Sequence, residues 1–264
     1  MPDELYQRIY LSPHLDDAAL SCGGRIYQER QAGLSVLVVT LMAGDPPPEA
    51  AETSFVSALH ARWGLEAHSN PVAARRAEDA AALSVLDAHG EHWGWPDCIY
   101  RRHPTTGEFL YHSETHLLGP VQLIERGFIV SIARRLDTLP LAPGGRVYTP
   151  MAVGGHVDHR LVRQAAEAWR VPGGELVYYE DYPYVERPGA LAAILGNGSV
   201  WRDEIVPLTE AATAAKIAAV ACYRSQLSTF FASTDEMAQR LRAYATSASG
   251  GAGWAERYWY RARA

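Results

Sequence analysis

Two short stretches concentrate the residues able to do chemistry. "LSPHLDDAALSCGG", residues 11 to 24, places His14 and the adjacent carboxylates Asp16 and Asp17 directly after an apolar run. "GGHVDHR", residues 154 to 160, places His156 and His159 at i and i+3 with Asp158 between them. On a helix that spacing puts both imidazoles on one face, a turn apart. Adjacent carboxylates repel. Either the Asp pair opens a helix, where acids favour the positive end of the dipole, or a cation sits among them. Neutral imidazole and carboxylate suit zinc, and a catalytic zinc typically takes three protein ligands plus water. His14, one Asp of the pair and one His of the second stretch make such a set. The other Asp can then take a proton from water, whose pKa a metal lowers from about 15.7 to about 7. A nearby His can stabilise the oxyanion or donate a proton.

These side chains need a scaffold that brings residue 14 to residue 159. "RIYLS" (8 to 12) and the Val-rich "LSVLVVTLMAG" (34 to 44) read as strands, the second buried on both faces. Asp17 to Gln31 has room for a helix ended by Gly33, which makes a βαβ unit. Further along, the pattern predicts a helix over 74 to 90 ending at Gly90 and a short strand at "HWGW" (92 to 95). Mostly helical sequence follows over 115 to 139, then a strand at 146 to 151 and a helix at 156 to 170. Strands at 175 to 182 and 204 to 208 and a helix at 209 to 227 come last, with a flexible loop at 247 to 253. The fold class is therefore α/β: a Rossmann-like, mostly parallel sheet with helices on both faces, read as one domain over 1 to 264. In such sheets ligands bind beyond the carboxyl ends of the strands. His14, Asp16 and Asp17 follow the first strand, Asp97 follows "HWGW", and His156 to His159 follow the strand at 146 to 151. All fall on one rim.

Composition narrows the function. Hydrophobic residues make up 48% of 264, enough for a sizeable core. A net charge of -6 argues against a nucleic-acid partner. No apolar run is long enough to span a bilayer, and the N-terminus carries acids instead of an apolar signal region. Three Cys, none in a C-x-x-C pair, read as reduced thiols in a cytoplasmic protein. Lys216 is the single Lys, and the Arg- and Ala-rich composition reads as a high-GC bacterial genome.

"SPHLDD" followed by "GG", with "HVDH" downstream, resembles the PIG-L/LmbE-like family of zinc-dependent N-acetylglucosaminyl deacetylases. The similarity continues through "LVVTLMAGD" (37 to 45), Arg75 and Glu78 in "RRAEDAAALSVL", "KIAAVACYRSQL" (216 to 227) and, weakly, "AERYW" (255 to 259). The resemblance implies an LmbE-like fold and hydrolysis of an N-acyl group from an amino sugar or glycosylated small molecule. It implies one Zn²⁺ per chain held by His14, Asp17 and His159, with Fe²⁺ able to occupy a similar site. Asp16 would be the general base. His156 would contact the oxyanion or substrate, with Asp158 orienting it, and Arg75 and Asp97 would line the sugar pocket. Leu15 stands where Pro is usual, and Ala18 where Glu is usual.

Other readings stay open on the sequence alone. Arg75 could pair with Glu78 on a helix surface, and Asp97 could be a loop acid after Pro96. Ala18 hints at a sugar-binding module that has lost catalysis. Another metal-dependent hydrolase, such as a phosphoesterase, lacks the expected phosphate loop and second-metal ligands. Dinucleotide binding lacks the G-x-G-x-x-G spacing. Loop 97 to 116, with Arg101, Arg102, His103, Tyr111 and His112, is a candidate for choosing substrate.

Overall fold

A computed structural model describes residues 4–48, 53–64, 70–197 and 200–262. In chain order the elements are β1 (Tyr6–Ser12), α1 (Asp17–Gln31), β2 (Val36–Thr40), α2 (Ser54–Arg62), α3 (Pro71–Val85), β3 (His89–His92), α4 (Glu114–Leu117), α5 (Arg126–Leu136) and β4 (Leu141–Pro150). Next come α6 (Val157–Trp169), β5 (Glu175–Tyr179), α7 (Ala190–Leu195), β6 (Trp201–Leu208), α8 (Glu210–Val220), α9 (Arg224–Phe230), α10 (Thr234–Ala248) and β7 (Trp254–Arg261).

One seven-stranded sheet runs in the order β3-β2-β1-β4-β5-β7-β6. β1 pairs in parallel with β2 and β4, β2 with β3, and β4 with β5, while β7 is antiparallel to both its neighbours. The chain steps outward from β1 to β3 and then returns to lay β4 against the other side of β1. That reversal is the topological switch point, where adjacent loops part and leave a crevice.

Alternation along the strands builds two cores. Tyr10, Val36, Val38, Tyr148 and Val177 face α1, α3, α8 and α10. Ile9, Leu11, Leu37, Val39 and Val147 face α5 and α6. Helices thus cover both faces, as the βαβ pattern demands.

Several boundaries differ from the sequence reading. The helix expected over 74 to 90 is α3, which starts at Pro71 behind the Asn70 cap and ends at Val85. Asp87, at φ 57°, makes the reversal. Gly90 lies inside β3 opposite Val38, and a side chain there would meet Leu83 Cδ1 at 2.6 Å. That glycine serves close helix–strand packing and not a helix cap. The strand expected at 92 to 95 therefore begins at His89. Gly119-Pro120 separates α4 from α5, and Cys222-Tyr223 separates α8 from α9. The loop expected at 247 to 253 begins inside α10, which runs to Ala248. Helices α2, α7 and α10 and strand β7 have no counterpart in the sequence reading, although Thr53 caps α2 and Ser233 caps α10.

One buried polar knot ties the late elements to the first helix. Glu256 on β7 accepts the backbone N–H groups of Gly24 and Arg25 at 3.0 Å each, the Lys216 ammonium at 2.7 Å and the Tyr258 hydroxyl at 2.7 Å. The chain's single lysine is thus buried, at 5% exposure, against a carboxylate. Gly23 and Gly24 make this possible. A Cβ on Gly24 would meet Leu208 Cδ1 at 2.6 Å, and one on Gly23 would press on Lys216 Cγ at 3.1 Å. Removing one partner of a buried ion pair strands the other charge, which costs about 3–5 kcal/mol. Lys216→Met should lower unfolding stability by about that amount in urea titrations, and adding Glu256→Gln should recover part of the loss.

Candidate metal centre

The site is assembled by three strand ends. The turn after β1 carries His14, Asp16 and Asp17, the turn after β4 carries His156, Asp158 and His159, and the turn after β5 carries Asp181. Ser12 locks the first turn: its hydroxyl donates to the His14 carbonyl at 2.7 Å and accepts the Ala18 N–H at 3.0 Å. Asp16 occupies the N-cap position of α1, yet its carboxylate makes no capping bond. The Asp pair does open a helix, with Asp17 in its first turn, but Ser12 supplies the side-chain bond to the helix start and leaves the Asp16 carboxylate free of it. Asp17 folds back so that Oδ2 accepts the His14 N–H at 2.8 Å.

The same Asp17 oxygen lies 3.2 Å from His14 Nδ1 and 3.3 Å from His159 Nε2. His159 Nδ1 is bound to Asp181 Oδ1 at 2.6 Å, and Asp181 Oδ2 accepts the Val153 N–H at 2.8 Å. His159 Nε2, wholly buried, has no hydrogen-bond partner. A ring nitrogen orphaned in this way, with its mate tied to a carboxylate, is how a metal-ligating histidine is oriented. Ring nitrogens of His14, His156 and His159 all lie within 4.8 Å of one another. The donors present therefore fit a divalent ion.

Electrostatics point the same way. Burial alone would lower both histidines, but the surrounding carboxylates hold His14 well above its usual value and His159 at about 10. Asp17 is held well below the carboxylate range despite burial, chiefly by the His159 charge. Asp16 is pushed up to about 7 by burial and by the Asp17 charge, with Arg75 opposing. Burial and the two charged neighbours push His156 down to about 3, which keeps it neutral. The cluster draws positive charge to Asp17 and leaves Asp16 able to exchange a proton near neutral pH.

Asp158 does not meet the expectation placed on it. Its carboxylate lies 3.0 Å from His14 Nε2, accepts the Cys98 N–H at 2.9 Å and pairs with Arg101. Only its backbone N–H reaches His156 Nδ1, at 3.3 Å. It therefore orients His14, while His156, the cap of α6, is held by the main chain. Asp97 caps a short turn through Ile99 N, with its other oxygen 3.7 Å from His14 Nε2. Arg75 is 6% exposed, stacks 4.8 Å from the Trp63 ring and comes within 3.9 Å of Asp16. Its expected surface partner Glu78 instead accepts the Ser225 N–H and hydroxyl, joining α3 to α9.

A cleft of about 340 Å³ opens over the cluster, and Arg75 and Asp97 both line it. Its outer walls come from α2, α4, α9 and the turn after β5, through Leu59, Trp63, Leu117, Phe230 and Tyr184. Loop 97 to 116 lines the cleft through Asp97, Ile99 and Glu114, but not through the five side chains expected to choose substrate. Arg101 and Tyr111 are buried against Glu125, and Arg102, His103 and His112 lie outside the cleft. A larger hollow of about 600 Å³ sits by Glu175 and Arg202, at the opposite end of β5, and holds none of the cluster. Of the remaining histidines, His60, His89 and His92 bond Tyr100, Tyr6 and Asp79, and His68 falls outside the described residues.

The two departures from the family motif are packing residues. Leu15 is 1% exposed among Val72, Ile99 and Val157, and Ala18 is 3% exposed in the core beneath α1. Asp181, Tyr184 and Gln226 escaped the sequence reading as site residues. Asp181 had one usable signal, an acid just past a strand's carboxyl end, hidden because the strand was drawn through to Tyr182.

Comparison with known proteins agrees with this geometry. The PIG-L family, described as GlcNAc-PI de-N-acetylase, matches residues 9–170. A 2'-N-acetylparomamine deacetylase of Niallia circulans is 31% identical over 235 residues, which span 83% of this chain and 80% of that protein. Among solved structures, the zinc-inhibited form of teicoplanin deacetylase Orf2 superposes with a TM-score of 0.79 at 28% identity, covering 97% of this chain and 98% of that one. The A40926 pseudoaglycone deacetylase Dbv21 does so with a TM-score of 0.73 at 29% identity, covering 98% of each chain. Family match, fold and relatives coincide: the chain belongs to the PIG-L family and is a hydrolytic N-deacetylase.

Proposed function

We propose that this chain is a zinc-dependent, cytoplasmic, single-domain hydrolase that removes an N-acetyl group from an amino sugar carried on a small molecule or glycoconjugate. The observation that carries the reading is the orphaned His159 Nε2 facing the Asp17 oxygen that His14 also faces, with the uncommitted Asp16 beside it. His14, Asp17 and His159 would hold the ion. When bound, it supplies Lewis-acid polarisation of the amide carbonyl and lowers the pKa of water.

The chain's own groups do the rest. Asp16 removes a proton from the attacking water and returns it to the departing amine, a task suited to a carboxylate held at about 7. His156 accepts the Asp158 N–H at Nδ1, so its own N–H sits on Nε2 and donates a hydrogen bond to the developing oxyanion. Asp158 and Asp181 fix the rings of His14 and His159, and Arg101 fixes Asp158. Arg75 and Asp97 contact the sugar from the cleft wall. The relatives' printed substrates, an acetylated paromamine and teicoplanin, support an acetylated amino sugar within a larger natural product.

Chelation should abolish acetate release and one equivalent of zinc should restore it, measured on an N-acetylglucosamine glycoside. His14 and His159 hold protons that the metal must displace, because their carboxylate neighbours raise their pKa values. Zinc affinity should therefore fall as pH falls, with proton release visible by calorimetry in buffers of different ionisation enthalpy. Asp16→Asn should lower kcat by about 10²–10⁴ while zinc content stays near one per chain. Acetate release at the wild-type rate from that variant would exclude Asp16 as the base.

A further inference from the structure

The cleft is lined by the carboxylates Asp16, Asp17, Asp97 and Glu114 and by three guanidinium groups, one of which has no carboxylate partner among the described residues. Arg62, Arg75 and Arg187 all line it. Arg62 reaches Glu114 at 3.4 Å across the cleft wall. Arg75 faces Asp16, but its Nε is buried with no hydrogen-bond partner. Arg187 is exposed at the mouth, and no described carboxylate pairs with it. Its sequence neighbour Glu186 is spent on Arg240.

Arg187 is nevertheless held in place. Its guanidinium lies 5.4 Å from the centre of the Tyr184 ring, and that ring stands edge-on to His159 at 5.7 Å. Tyr184 fills the space left by Gly154, where a Cβ would come within 2.6 Å of Tyr184 Cβ. The backbone is pinned on both sides, by Arg187 N–H to the Tyr184 carbonyl at 3.1 Å and by Ala190 N–H to the Arg187 carbonyl at 3.0 Å. A guanidinium stacked on a ring keeps its edge donors free for a planar acceptor.

A substrate that seats its acetamide over Asp16 and Asp17 covers this mouth. Burying a guanidinium without an acceptor is costly, whereas a carboxylate meets it with two parallel charge-assisted hydrogen bonds. We propose that Arg187, with Arg75 deeper in the cleft, selects N-acyl amino sugars whose sugar or aglycone bears a carboxylate. This rests on the deacetylase reading above and names the substrate class for the same site.

The test compares acids with their own methyl esters. N-acetylmuramic acid places the carboxylate on the sugar, and 4-carboxyphenyl N-acetyl-β-glucosaminide places it on the aglycone. For at least one pair, kcat/KM of the zinc-loaded enzyme should favour the acid by about tenfold or more at low salt, and the ratio should shrink as salt rises. Arg187→Gln should bring that ratio to near one, Arg187→Glu should invert it, and Arg187→Lys should retain part of it. Melting temperature and zinc content show whether each variant is folded. Equal turnover of acid and ester in both pairs, or a preference that survives Arg187→Gln, overturns the proposal. Binding of the same compounds is measured by calorimetry alongside turnover. Acid-selective, Arg187-dependent binding without acetate release would sink the deacetylase reading and leave the acidic-ligand inference standing. Binding that does not distinguish acid from ester would sink the latter.

Discussion

A single carboxylate oxygen organises this molecule. Asp17 Oδ2 is shared by a backbone N–H and by ring nitrogens from two segments 145 residues apart, His14 and His159. Around it lie Asp16, Asp97, Asp158 and Asp181, all within a buried pocket of the fold. Charges this dense and this dry are tolerable only if each is paired or a cation joins them. Each histidine answers with one nitrogen toward Asp17 and the other toward a carboxylate, Asp158 for His14 and Asp181 for His159. Such double anchoring leaves the rings no freedom to rotate, which is what a metal site needs from its protein.

The sheet order makes that meeting possible. Because β4 returns beside β1, the turns after those strands face each other across the switch point, and the turn after β5 joins from the next position. The helices that begin there, α1 and α6, leave Asp16 and His156 at their N-caps. Those two positions sit at helix starts and open to the cleft, where the proposed base and oxyanion donor need to be. Ser12 frees Asp16 by capping the helix in its place, a small substitution of duties with a chemical consequence.

Stability and function are spatially separate. The outer walls of the cleft come from α2, α4, α9 and the turn at Tyr184, all outside the sheet. The antiparallel β6–β7 extension closes the far side, and Glu256 stitches it to α1 and Lys216. An acid-selective mouth at Arg187 would belong to this outer wall and not to the cluster of His14, Asp17 and His159.

Much of this was legible in the residues. Apolar strands alternating with capped helices are enough to dictate a mostly parallel sheet, and the placement of His14, Asp16, Asp17, His156 and His159 at strand ends is enough to put them on one rim. Those are local facts: periodicity, turn chemistry and chain order. Partnership was decided only by the fold. Asp158 turned to His14 instead of His156, Glu78 to Ser225 instead of Arg75, and Arg101 left the supposed substrate loop for a buried ion pair. Asp181 and Tyr184 entered the site from a strand end the pattern had extended by three residues. Which carboxylate serves which ring depends on distances of a few ångströms between segments 22 residues apart for His159 and Asp181 and 144 apart for His14 and Asp158, and no spacing along the chain encodes that.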